Sequence, residues 1–133
     1  LVLVDEDTRA FNKIMEAFGL PKKTDEDKRL RSEAIQAATL FATQVPLQTM
    51  QAAFGAFELC QAMAEQGNPN RVSDAAARAA VLGAGLNVKI NAASLKDRET
   101  ADKMIAEAEQ LIAEAQKKEA EIIGIVERKI NEA

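Results

Sequence analysis

A polar excess marks one stretch of this chain. Asn68, Asn70, Ser73 and Asp74 surround Pro69 just after Gly67, and Asn87 and Asn91 follow in the next segment. Ser or Asp can accept bonds from the first free N–H groups of a helix, and Gly lets the preceding one stop. A plain helix–turn–helix corner uses about two or three such residues, fewer than are present. Three carboxylates, Asp5, Glu6 and Asp7, stand near the start of the chain. The chain contains no His, which removes Ser-His, Cys-His and His-metal chemistry together. Acid–base work must then come from carboxylates, Lys or a substrate's own groups. No metal is expected, because the carboxylates are dispersed along helices. The lone Cys60 excludes an internal disulfide and fits a reducing, cytoplasmic setting. Its amphipathic surroundings favour a small buried side chain over a nucleophile.

These residues need helices to hold them. At 133 residues the chain predicts one small domain, 1–133. Its net charge of −4 is spread in both signs, leaving no basic stripe for nucleic acid. No apolar run is long enough to span a membrane, and no signal peptide is visible. Phe11, Ile14, Met15 and Phe18 have the spacing of one buried helical face, ended by Gly19. Thr24 is a good N-cap, with Asp25, Glu26 and Asp27 behind it. A second helix is predicted from Asp25 toward Val45, with Leu30, Ala34, Ile35, Ala38 and Phe41 inward. Pro46 then marks either a kink or the first turn of a new helix. Beyond it Leu47, Met50, Phe54, Phe57 and Ala64 form a seam that Gln61 interrupts.

The run from Ala75 to Leu86, with Gly83 and Gly85, is rich in small residues and predicts the most buried helix or part of a subunit interface. Ser94 and Asp97 mark a last start. A long helix from about Arg98 to Glu132 carries the stripe Met104, Ala108, Leu111, Ala115, Ile122, Val126 and Ile130, with Lys118 as its weak point. Glu107, Glu114, Lys117, Lys118, Glu121 and Lys129 read as its solvated face. The fold class is all-α, a bundle of long up-and-down helices. So much helical surface in so short a chain predicts self-association, most simply a homodimer.

The run Gly67-Asn68-Pro69-Asn70-Arg71-Val72-Ser73-Asp74 followed by Gly85-Leu86-Asn87-Val88-Lys89-Ile90-Asn91 resembles the cyclodeaminase/cyclohydrolase family of folate enzymes. Leu3 to Phe11, Gly19 to Thr24, the helix around Val45-Pro46 and the segment Asn91 to Asp97 fit the same pattern, in the same order. Relatives carry a glycine-rich segment and a helix before the position of Leu1, so an N-terminal helical segment is expected to be missing. They also carry extra residues after the Ser-Asp pair, which implies a gap between Asp74 and Ala75.

The resemblance implies conversion of 5-formimino-tetrahydrofolate to 5,10-methenyl-tetrahydrofolate with loss of ammonia. The alternative within the family is methenyltetrahydrofolate cyclohydrolase, and from another class a non-catalytic helical scaffold. It assigns catalysis to Asp7, the second Asp of an Asp-x-Asp pair, against a plain reading of Asp5, Glu6 and Asp7 as the acidic outside of a helix. Asp74 is the second candidate carboxylate, against simple capping. Asn68, Asn70, Ser73, Asn87 and Asn91 are the candidate substrate-binding residues, binding the pterin or holding the site together. Lys89 is a candidate for a folate carboxylate or an ordinary surface lysine. The tetrahydrofolate derivative is substrate, with no permanently bound cofactor. A fused or associated formiminotransferase domain is the implied partner besides a second copy.

Overall fold

The described residues form four helices: α1 (Val2–Gly19), α2 (Asp25–Glu65), α3 (Asp74–Ala92) and α4 (Arg98–Asn131). The computed structural model describes residues 2–66 and 74–131, and side chains for 2–66 and 77–131. No strand occurs among the described residues, so the all-α bundle stands. No described helix is long and apolar enough to cross a membrane.

Each start has a local cause. Thr24 caps α2 with a complete box: its hydroxyl accepts from the Asp27 amide at 3.0 Å and the Asp27 carboxylate accepts from the Thr24 amide at 3.0 Å. These bonds hold the Asp27 carboxyl below the ordinary carboxylate range. At α4, Asp97 accepts from the Thr100 hydroxyl at 2.7 Å and its amide at 3.1 Å, which lowers that carboxyl too. Gln36 fastens the turn before it, donating to the Ser94 carbonyl and accepting from the Lys96 amide.

α2 is the spine, since α1, α3 and α4 all pack on it, and α3 also packs on α4. The main core joins Leu47, Met50 and Phe57 of α2 to Val81 and Val88 of α3 and to Met104, Ala108 and Ile122 of α4. Gly85 lies where three helices meet. A Cβ there would stand 2.8 Å from Ile112 Cδ1 and 3.1 Å from Met50 Cε. Cys60 is buried in the same core.

Two expectations change. Pro46 neither ends nor starts a helix: α2 runs through it as one element of 41 residues, and the cost of the missing amide is met from another helix, as described below. On α1, Phe11, Met15 and Phe18 are 62%, 55% and 52% exposed. The face that meets α2 is the neighbouring one, with Ala10 and Ala17 buried and Ile14 packed beside them. Alanines let the two backbones approach, and the larger side chains are carried to the outside. α3, as expected, has the largest share of buried residues among the described side chains of these helices, and all of them lie on one face. Leu86 and Ile90 are 62% and 66% exposed and Gly83 is also exposed. Leu30 on α2 and Ile130 on α4 are likewise exposed.

The two polar breaks in the apolar seams answer one another. Lys118 of α4 donates to the Gln61 side-chain oxygen of α2 at 3.1 Å. Lys129, expected in solvent, donates to the Glu65 carbonyl at 2.6 Å and so serves the C-terminal end of α2.

Candidate functional site

The N-terminal half of α1, the middle of α2 and one side of α3 line an open cleft of about 420 Å³, within the size range of small-molecule sites. Asp7 contributes from α1, flanked by Leu3 and Val4. Pro46 and Thr49 contribute from α2. Ala79, Ala80, Gly83, Ala84 and Asn87 contribute from α3. Thr49 donates its hydroxyl proton to the Val45 carbonyl at 3.1 Å, so its oxygen can still accept.

Helical geometry explains why these residues meet. On α1 the inward residues Leu3, Ala10, Ile14 and Ala17 recur at threes and fours, and Asp7 occupies the one position of that series that is not apolar. It stands where the helix faces the cleft and remains exposed. On α3, Ala79, Ala80, Gly83, Ala84 and Asn87 fall on one side of the helix. A Cβ on Gly83 would meet nothing within 4 Å, so the small residues leave open space along this wall. A carboxylate and a carboxamide from different helices thus share one water-accessible space. The first can take and return protons, and the second can donate and accept hydrogen bonds.

Of the residues singled out in the sequence, Asp7 and Asn87 are brought together. Asn91 lies one turn beyond Asn87 and is half-buried, its Nδ2 donating to the Ala42 carbonyl of α2 at 2.8 Å. Lys89 pairs with Glu109 of α4 at 2.9 Å and does not line the cleft. Asp74 is the first residue of α3, with its side chain outside the described part. Asn68, Asn70 and Ser73 lie outside the described residues altogether. Among the described residues no group of three or more His, Cys, Asp or Glu is placed to hold a metal ion.

Sequence reasoning missed the small-residue wall and Thr49. Ala79, Ala80 and Gly83 are legible in sequence only as small residues suited to close helix packing, and nothing in their types separates a packed face from a bare one. A second cleft of about 390 Å³ lies between the C-terminal half of α1 and α2. It is mostly alanine and apolar surface, with Lys13 placed over the Phe41 ring at 4.1 Å. It offers no carboxylate–carboxamide pair.

The family model described as formiminotransferase-cyclodeaminase matches residues 1–110. A methenyltetrahydrofolate cyclohydrolase from Methylorubrum extorquens is 40% identical over 97% of this chain and 64% of its own length. The formimidoyltransferase-cyclodeaminases of Mus musculus and Gallus gallus are 35% and 30% identical over 94% and 97% of this chain, and 24% and 25% of theirs. The chain therefore spans just under two thirds of the bacterial relative and about a quarter of the animal ones.

Proposed function

The chain belongs to the formiminotransferase-cyclodeaminase family, and from that premise we propose that it is a folate one-carbon enzyme, closing or opening the 5,10-methenyl bridge of tetrahydrofolate in the cleft between α1 and α3. The observation that carries the reading is that Asp7 and Asn87 line one open cleft walled on α3 by small residues.

In the cyclodeaminase direction, N10 of the folate attacks the formimino carbon held on N5, and an N10–C bond forms. The Asp7 carboxylate takes the N10 proton and passes it to the former imine nitrogen. One further proton lets that nitrogen leave as ammonia, with the positive charge left on the methenyl unit. One carboxyl group serves both transfers because the two nitrogens are attached to the same carbon. Asn87 holds the pterin by its carboxamide. Asp74 as a second carboxylate, and Asn68, Asn70 and Ser73 as substrate-binding residues, remain part of the proposal on the family resemblance alone.

A second reaction uses the same parts. Water adds to the methenyl carbon and loses one proton to Asp7; the C–N5 bond then breaks as Asp7 returns that proton to N5 and the remaining hydroxyl proton is released to solvent, leaving a formyl group on N10. The match to a methenyltetrahydrofolate cyclohydrolase over 64% of that relative's length favours this reading. Offering the 5-formimino and 10-formyl compounds in parallel, with methenyl-tetrahydrofolate absorbance as the readout, separates the two. If the full-length protein turns over neither, the enzyme reading fails and a helical scaffold replaces it.

The proposal includes a homodimer in the cytoplasm, with association to a formiminotransferase domain as the further partner. The exposed apolar side chains Phe11, Met15, Phe18, Leu86 and Ile90 support self-association. Sedimentation of the full-length protein at micromolar concentration checks it, and a monomer alone counts against it.

A further inference from the structure

Pro46 and Asn91 answer one another across the α2–α3 contact. A proline inside a helix has no N–H, so the carbonyl four residues earlier loses its usual partner. Here that carbonyl belongs to Ala42, itself buried, as is Pro46. A buried carbonyl left without a donor is costly. Asn91 of α3 supplies the donor, its Nδ2 standing 2.8 Å from the Ala42 oxygen.

This bond does more than satisfy an oxygen. The apolar contact of α3 with α2 is made by Val81, Ala84 and Val88 against Leu47, Met50 and Phe57, and apolar contacts are non-directional. A hydrogen bond to a fixed carbonyl is directional, so it sets how far α3 slides and turns on α2. Asn87 is four residues before Asn91, on the same side of the helix. Pro46 itself lines the cleft, so the residue that frees the carbonyl is also part of the site. We propose that Asn91 is a positioning residue: through the Ala42 carbonyl it sets the register of α3 on α2 and so holds Asn87 in place across the cleft from Asp7. The inference rests on that cleft being the folate site.

Four variants of the full-length protein test it: Asn91→Ala, Pro46→Ala, their combination, and Asn87→Ala as a control. Turnover is measured with the 5-formimino and 10-formyl compounds, and melting is followed alongside. Asn91→Ala raises KM about tenfold with little change in kcat, as loss of ground-state placement does, and lowers Tm by about 4 °C. In the combined variant the alanine amide closes on the Ala42 carbonyl within α2. Tm then recovers, but KM stays raised because α3 still lacks its anchor. Should Asn91→Ala fail to fold, Asn91→Ser carries the same comparison.

An unchanged KM for Asn91→Ala beside a raised KM for Asn87→Ala overturns the positioning role and leaves the folate reading intact. Recovery of KM together with Tm in the combined variant overturns it too, since filling the carbonyl is then all that Asn91 does. If the unmodified protein turns over neither compound, the folate reading falls and the positioning role with it. The recovery of Tm in the combined variant still reports the bond in that case.

Discussion

Gly83 and Gly85 stand two residues apart on α3 and face nearly opposite ways, about 200° around the helix. Gly85 is closely packed, with Ile112 and Met50 side chains 2.8 and 3.1 Å from any added Cβ. Gly83 meets nothing within 4 Å and lines the cleft. The same residue type therefore answers two different demands on one short helix. On the inner face, lack of a side chain permits packing. On the outer face it leaves space, at a cost in helix stability that no packing contact returns. A residue that costs stability without a structural gain is a better pointer to a site than one that completes a core.

The largest test of this contrast lies on the other wall of the cleft. Asp7→Asn keeps size and polarity but removes proton transfer, so turnover falls by roughly 10²–10⁴-fold. Tm barely moves, because Asp7 is exposed and α1 meets α2 without it. Full activity of this variant on both folate compounds would show that Asp7 is an ordinary surface carboxylate.

Next in size is Gly85→Val. The added Cβ and its two methyl groups have no room between Ile112 and Met50, and the overpacking costs about 1–3 kcal/mol in denaturant unfolding. Gly83→Ala acts in the opposite sense, gaining roughly 0.5–1 kcal/mol from helix propensity alone. The same alanine at Gly85 falls short of that gain, because the Ile112 end must turn away. Equal gains at both positions would erase the contrast between the faces.

The smallest effect concerns the helix starts, which belong to neither face. Asp27 and Asp97 have lowered carboxyl values in the folded chain through their bonds to Thr24 and Thr100. A group lowered on folding contributes stability above its ordinary value and loses it as pH falls toward the folded value. Tm should therefore drop between about pH 5 and 3, and the drop should be shallower in Asp27→Asn and Asp97→Asn. Both groups are exposed, so the shift is slight. A steeper drop in these variants reverses the sign and defeats the assignment.

The helices themselves were legible, because their signals are local. Thr24 with Asp27, Asp97 and the apolar spacing of α4 need only neighbouring residues to be interpreted. What escaped was which side of a helix meets another helix. The large residues of α1 suggested a buried stripe, yet Ala10 and Ala17 face inward, because small side chains allow a closer contact than bulky ones. Gln61 and Lys118 each looked like a defect, and only their meeting across 57 positions explains both. Pro46 likewise looked like a break until Asn91 was found to supply the missing donor. For the candidate site, the family resemblance points to Asp7 and Asn87. Thr49 and the bare wall at Gly83 depend on helix azimuths that no single segment encodes.

Cys60 has a consequence for watching this protein move. It is the sole thiol in the chain and is buried in the core between Phe57 and Ala64. A disulfide-exchange reagent can reach it only when that part of α2 opens, so modification proceeds at the pace of the opening equilibrium and at a single place. The chain thus carries its own stopwatch, with one hand and no added label. A ligand that clamps the helices of the spine together will slow it.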